Sequence, residues 1–404
     1  MRARNWVLIA SAVSITVFYA LCHLDDFKIQ IQHDFLCAYT GYSLAFSPGL
    51  YDPAVQSRRA QEILPNPQRQ LIPFIRPAFY AWAMWPLAQL PYMAAYVAWL
   101  CLQYGMLAWT CFRAWHRFGP PSIIFCVVFW PVAVGIFAGQ DSALVLVMVF
   151  EAFLAIEQHG YWRAGAICAL TLFKFHLMLL VPLVILLRRN WRMLEGYVTV
   201  ATALTIACLA WGHPKSYIAL LRRDDIVNPS PGMMINIRGI ALNFGAPWIV
   251  IPLILLVGAI VVYAARLSAD WQWFGAAVAG SPLIVPHVYL YDLASLLVFL
   301  LAALTSAKSP LTRWTAFLII LPPIHAAIAL GAPWAAIPPL AIIAFMLCLA
   351  LDRKFASQTL PKVPHPHADS YRGERSHSRK AGRAGRGVIS RVCARFKMAA
   401  AIAH

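Results

Sequence analysis

The chain has 404 residues, 61% hydrophobic and only 12% charged, with a formal net charge of +17. A soluble globular domain carries roughly twice that share of charge, so that class is excluded. Apolar runs of about 20 residues, enough to cross a bilayer, recur from end to end; short alternating barrel strands are absent, which leaves an all-α polytopic membrane protein.

The first apolar segment, Trp6–Cys22, follows Arg2 and Arg4 and lacks a small-residue cleavage site. It reads as a retained signal anchor that carries the chain outward from a cytoplasmic amino end. The stretch from His33 to Asp52 then emerges as a loop that opens on Asp34. Phe35, Tyr39, Tyr42 and Phe46 recur at helical spacing and predict a surface helix from about Phe35 to Phe46. Asp34 is then either the cap of that helix or a functional acid at a membrane boundary. A second surface helix starts after Pro53 and carries Arg58, Arg59 and Glu62. Both fit amphipathic segments lying in the interface plane of the first outer loop.

Pro73–Leu90 is hydrophobic but broken by Pro77 and Pro86, and it contains Arg76. The remaining apolar segments are Tyr92–Phe112, Ser122–Ala138, Ser142–Ile156, Tyr161–Leu187, Met193–Trp211, Trp248–Ala265, Trp271–Val285, Val288–Ser306, Trp314–Leu330 and Trp334–Leu351. The count is about 12 spans. Both termini are basic and favour the inside, so the number is even. Two registers satisfy that. In one, Pro73–Leu90 crosses fully and Tyr161–Leu187 is one helix. In the other, Pro73–Leu90 is re-entrant and Tyr161–Leu187 is two half-depth helices meeting near Lys174. The second keeps Arg113 and Arg117 inside and puts Gln140, Asp141 and Lys174 outside with Asp34, so it is favoured. Both place the loop Gly212–Ala246, with Arg222, Arg223 and Arg238, on the outer side.

Residues 1–351 read as the membrane domain and 352–404 as a disordered cytoplasmic tail. The tail holds twelve Lys/Arg against three acids, which suits anionic headgroups. Nucleic acid is not the expected partner, because the tail belongs to a membrane body. The nine cysteines are scattered through apolar spans without C-x-x-C or metal-like spacing, and read as buried small residues.

Ionisable side chains inside apolar segments are costly and are functional candidates by default. Here they are Asp34, Arg76, Asp141, Lys174, His176, His287 and Asp292. Arg76, beside Pro77, either snorkels to headgroups or belongs to a site. Lys174 sits in LTLFKFHLML with no charge near it in sequence, which predicts a functional or paired role. His176 reads as a satisfied packing residue, and His287, between Pro286 and Val288, as a site residue. Gly139-Gln140-Asp141 is, as pattern, a turn with an N-cap. One carboxylate with several cations and a histidine suits transfer from a phosphate-linked donor. The acid takes the proton of an attacking hydroxyl, and the cations meet charge growing on the leaving phosphate. No convincing carboxylate pair points to a hydrolase, and no P-loop, H-E-x-x-H or G-x-S-x-G is present.

Several of these motifs, in this order, resemble the polyprenyl-phosphate-dependent glycosyltransferases of family 87, integral membrane enzymes of the GT-C type, many of them mannosyltransferases. Asp34-Phe35 with Tyr39, then Leu50-Tyr51-Asp52, resembles the family's first outer loop. Pro77 through Pro86-Leu87-Ala88 and Leu90-Pro91 resembles its proline-bounded segment. Gly139-Gln140 resembles its Gly-Gln turn, with Asp141-Ser142 where an Asn-type position follows. Lys174, Pro182 and Arg188-Arg189-Asn190-Trp191-Arg192 resemble its lysine segment and basic turn, although the usual Lys-x-x-Pro is Lys174-Phe175-His176-Leu177. Ser281-Pro282 through Pro286-His287 and Tyr291-Asp292 resembles its late Pro-His…Tyr-Asp motif.

The resemblance covers about Trp6 to Ser306 and implies a GT-C-type bundle with Asp34 as general base. It implies that His287, with nearby cations, meets the donor phosphate; Lys174, Arg76 and Arg238 are the cations expected there. Gln140, Asp141, Tyr39 and Asp292 complete the expected substrate contacts. The expected activity moves a hexose such as mannose from a polyprenyl phosphate to a hydroxyl on a lipid or glycan acceptor, at the outer face of the inner (plasma) membrane, with no cofactor and no metal required. The alternative is a transporter or lipid flippase for envelope polysaccharide precursors. That reading expects internal repeats and paired broken helices, and the sequence shows no such symmetry.

Overall fold

Apolar segments in a bilayer must satisfy every backbone donor internally, which in this sequence leaves helices. The computed structural model describes residues 24–65, 72–223, 231–267 and 271–359. Among them are 18 α-helices and no strand. All but the last residues of the final helix lie in one unit, Met1–Ser357. The expected anchor Trp6–Cys22 and the tail beyond Thr359 lie outside the described residues.

Helix α1 (Leu24–Ser43) begins well before the predicted start at Phe35, so Asp34 is a helix-interior residue and not an N-cap. A 3₁₀ turn at Pro48–Tyr51 leads into α2 (Pro53–Ile63). Asp52 caps α2 by accepting from the Ala54 N–H at 2.8 Å, and Pro53 supplies a first position that needs no donor. Helix α3 (Ala78–Met84) has only seven residues between Pro77 and a turn at Trp85–Gln89. It is far too short to cross a bilayer.

Helix α4 (Tyr92–Phe118) runs the length of the bundle. The apolar stretch after it is divided at Phe129 into α5 (Pro121–Val128) and α6 (Trp130–Phe137). Helix α7 (Ser142–Glu157) follows, then α8 (Tyr161–Leu170), a 3₁₀ turn at Thr171–Met178 and α9 (Leu180–Leu187). Lys174 breaks that segment with φ −122° and ψ 54°. The two arms, Tyr161–Met178 and Leu180–Leu187, bend by 111°, so this segment is either a broken span or a re-entrant loop. Next come α10 (Trp191–Trp211), α11 (Pro214–Leu221), α12 (Ile237–Asn243), α13 (Val250–Leu267) and α14 (Gln272–Ile284). The chain closes with a 3₁₀ turn at Leu290–Leu296, α15 (Leu297–Ser306), α16 (Pro310–Ile320), α17 (Pro322–Ala326) and α18 (Ile337–Thr359).

Four described helices are long and apolar enough to cross a membrane, and two bent pairs raise the number to six. The apolar segments were expected to give about 12 spans. Pro73–Leu90 is divided at its prolines and Tyr161–Leu187 near Lys174, as the favoured register expects, and two further segments are divided at Phe129 and before Pro322, so apolar length does not translate into straight crossings. Helices α7 and α14 are apolar on every side and almost wholly buried, so they form the centre. Helices α4, α10 and α13 surround them and expose Trp109, Trp115, Trp211 and Ile251.

In lipid, helices gain little by hiding apolar surface from one another, and close backbone approach matters more. Helices α8 and α10 meet in this way. A Cβ added to Gly165 would lie 1.9 Å from the Met193 carbonyl oxygen, and one on Gly196 would lie 2.0 Å from that of Trp162. The obstacle is backbone and cannot swing aside. Gly165→Val is therefore expected to cost at least about 3 kcal/mol. It should remove the monodisperse peak on size exclusion in detergent, while Gly258→Val on α13, where a Cβ meets open space, should leave the peak in place.

At the end of the bundle away from α3, Asp352 is buried on α18 and accepts the Ser309 N–H at 2.8 Å, the Lys308 N–H at 3.1 Å and the Thr312 hydroxyl at 3.2 Å. It fastens the start of α16 to α18.

Candidate active site

Asp34, Cys37, Ala38 and Tyr42 share one face of α1, at spacings of three, four and eight residues, and that face lines a cavity. The opposite wall comes from the loop at Ile72–Arg76, the Gly139–Asp141 turn, Lys174 and His176 at the helix break, and His287 with Tyr289, Tyr291 and Asp292. Six residues expected at the site meet Asp34 there: Arg76, Gln140, Asp141, Lys174, His287 and Asp292.

Each wall is held by groups far apart in sequence. The loop carrying Arg76 is clamped by buried Gln56, whose amide donates to the Leu50 carbonyl and accepts the Phe74 N–H, both at 2.6 Å. The Tyr51 hydroxyl donates to the Arg76 carbonyl at 3.0 Å, and the Tyr217 hydroxyl to that of Ile75 at 3.2 Å. The turn before Gln140 needs Gly139, which sits at φ +70° with Phe35 so near that a Cβ would come within 2.7 Å of the Phe35 Cβ. Trp99 donates to the Gly139 carbonyl at 2.8 Å. The glycine thus seats Gln140 directly against α1, within hydrogen-bonding reach of the Asp34 carboxylate.

Charge is distributed unevenly. Lys174 is buried and touches Asp141 at 2.6 Å and Asp292 at 2.8 Å. Arg76 reaches Asp141 at 3.0 Å and the Gln140 amide oxygen at 3.1 Å. Asp292 also accepts the Tyr289 N–H at 3.0 Å. The sequence showed no charge near Lys174 and no carboxylate pair; the fold brings three carboxylates to one cavity and gives two of them to this lysine. Asp141 makes no cap hydrogen bond to α7, so the N-cap expectation gives way to a counter-ion that joins Arg76 to Lys174. No cation among the described residues forms a salt bridge with Asp34. Burial pushes its pKa up to about 6, the charge of Asp292 adds to the rise, and the Gln140 hydrogen bond and the charges of Lys174 and Arg76 pull the other way. For Arg76, burial works against the charge, and Asp141 foremost among its neighbours outweighs it, so its pKa is raised.

Two expected residues are not brought to the cavity. Tyr39 packs among Phe35 and Tyr92 and donates to the Leu90 carbonyl at 2.7 Å. Arg238 sits on α12, whose cap Asn236 donates to the Val285 carbonyl at 2.7 Å, beside the His287 segment. Tyr42 and His176 line the cavity although the sequence gave them no site role.

A sequence profile for glycosyltransferase family 87 matches residues 74–286, just over half of the chain. The chain belongs to glycosyltransferase family 87. No curated protein and no solved structure matches it significantly. The matched part of this family 87 glycosyltransferase contains Arg76, Gln140, Asp141, Lys174 and His176. Asp34 precedes it, and His287 and Asp292 follow it at once. The protein is thus a membrane glycosyltransferase that acts on a sugar donor and an acceptor. Chemically, the cavity offers one carboxylate free of ion pairs and, across from it, two cations and two imidazoles.

Proposed function

We propose that this protein transfers a hexose, mannose being the leading candidate, from a polyprenyl phosphate to a hydroxyl acceptor at the outer face of the inner membrane. The observation that carries the reading is Asp34, unpaired, in one cavity with Arg76, Lys174 and His287. The acceptor hydroxyl gives its proton to Asp34 as its oxygen attacks the anomeric carbon. The bond from that carbon to the phosphate oxygen breaks, the configuration inverts, and the polyprenyl phosphate leaves as an anion. Arg76 and Lys174 keep N–H donors beyond those spent on Asp141, Asp292 and Gln140, and meet the anion as fixed charges in a poorly hydrated site.

The rest of the architecture is that of a GT-C-type bundle, with α1 and α2 as interfacial helices of the first outer loop. Helix α7 extends about 24 Å from the cavity to Glu157. That far end carries Arg113, Arg117, Arg163, Arg188, Arg192 and Lys308, and Arg117 pairs there with Glu157 at 2.6 Å. The basic tail follows α18, which also ends there. Such a distribution supports a cytoplasmic far end and an outward-facing cavity.

The test is transfer of label by purified protein from a polyprenyl-phosphate hexose to a lipid extract, with the nucleotide-linked sugar as control. Transfer from the polyprenyl donor alone is expected; transfer only from the nucleotide sugar overturns the reading. Initial rates also carry a pH signature. Only ionised Asp34 accepts a proton, so kcat/KM is expected to rise about tenfold per pH unit below about 6 and to level off above it.

A further inference from the structure

The residue left over by this mechanism is His176. In a continuous helix, residues two apart point to nearly opposite sides, so Lys174 and His176 would not share a surface. The break at Lys174 turns both into one cavity. Breaking a helix within an apolar segment frees backbone groups that lipid cannot satisfy, so the arrangement has a cost. What it delivers besides the Lys174 ion pairs is an imidazole. The His176 Nε2 is enclosed and has no hydrogen-bond partner. The ring stands perpendicular to that of His287, centroids 5.9 Å apart, and His287 is itself edge-on to Tyr289 at 5.2 Å. His176 thus stands beside His287 in the lining that also carries Arg76 and Lys174.

We infer that His176 is a donor-phosphate ligand, its Nε2–H donating to a non-bridging phosphate oxygen alongside Arg76, Lys174 and His287. This deepens the proposed function and rests on its polyprenyl-phosphate donor. The chemistry fits an enclosed N–H without a partner: an anionic oxygen supplies the missing acceptor.

The test measures binding of two lipids to detergent-solubilised full-length protein: a polyprenyl monophosphate, and the uncharged polyprenol of the same chain length. The variants are His176→Phe, which keeps the ring volume, and His176→Gln, which keeps an N–H at similar reach. His176→Phe is expected to weaken phosphate-lipid binding about tenfold and to leave polyprenol binding unchanged. His176→Gln is expected to retain most of the phosphate preference, and the donor KM is expected to rise in the same order while the acceptor KM stays constant. Unchanged phosphate-lipid binding in His176→Phe, or equal loss of both lipids, or a Gln variant no better than Phe, overturns the inference. If wild-type protein binds the two lipids alike, the polyprenyl-phosphate reading itself falls, and this inference with it.

Discussion

Asp34→Asn is expected to lower transfer by about a thousandfold, within the range for losing a general base, while leaving polyprenyl-phosphate binding within about twofold of wild type. The substitution keeps the shape of the side chain and its contact with Gln140, because an amide oxygen still accepts a hydrogen bond. It removes the one group free to take the acceptor's proton. No other carboxylate can take over cheaply, since Asp141 and Asp292 are committed to Lys174 at 2.6 and 2.8 Å. Steady-state rates with labelled donor, paired with a binding isotherm for the same variant, separate the two effects. Equal rates for Asp34→Asn and wild type would remove Asp34 as the base.

The second large effect concerns stability. Lys174→Met leaves Asp141 and Asp292 without their shared cation in a buried site. Breaking a buried ion pair from one side costs roughly 3–5 kcal/mol, because the surviving charge is stranded. Here the lysine serves two acids, and only Asp141 has Arg76 in reserve, at 3.0 Å. The worse-stranded group is therefore Asp292. Lys174→Met is expected to lower the apparent melting temperature in detergent markedly. Adding Asp292→Asn to Lys174→Met should recover more stability than adding Asp141→Asn. A Lys174→Met protein as stable as wild type, or the reverse order of rescue, would show that the buried charges are not held together as described.

Most of the ionisable site was legible because bilayer cost singles out charged residues in apolar runs. Arg76, Asp141, Lys174, His287 and Asp292 were picked out on that ground, and they converge with Asp34 on one cavity. Their partnerships were not legible. Lys174 and Asp292 are 118 positions apart, and nothing local in LTLFKFHLML announces a counter-ion. His176 was taken for packing even though a break near Lys174 was expected, because LTLFKFHLML does not show which way the side chains after the break turn. Tyr39 was placed at the site by the resemblance, yet the cavity face of α1 runs through Asp34, Cys37, Ala38 and Tyr42 and leaves Tyr39 to its aromatic neighbours. Gln56, the clamp on the Arg76 loop, looked like one polar residue among many on a surface helix. The central helices were the most readable: α7 starts at the expected Ser142, since a long apolar run with a turn before it has few alternatives.

The fold at Lys174 also has a bookkeeping consequence for anyone mapping this protein with reporter fusions. On the topology proposed above, the stretch from Tyr161 to Arg188, whose two arms bend by 111°, makes an excursion and returns. The segment between Arg76 and Tyr92 does likewise at the opposite end. Counting both as passages preserves parity after Arg188, and every later fusion would agree with either diagram. Only reporters between Tyr92 and Tyr161 would disagree, with each assigned to the compartment opposite its own.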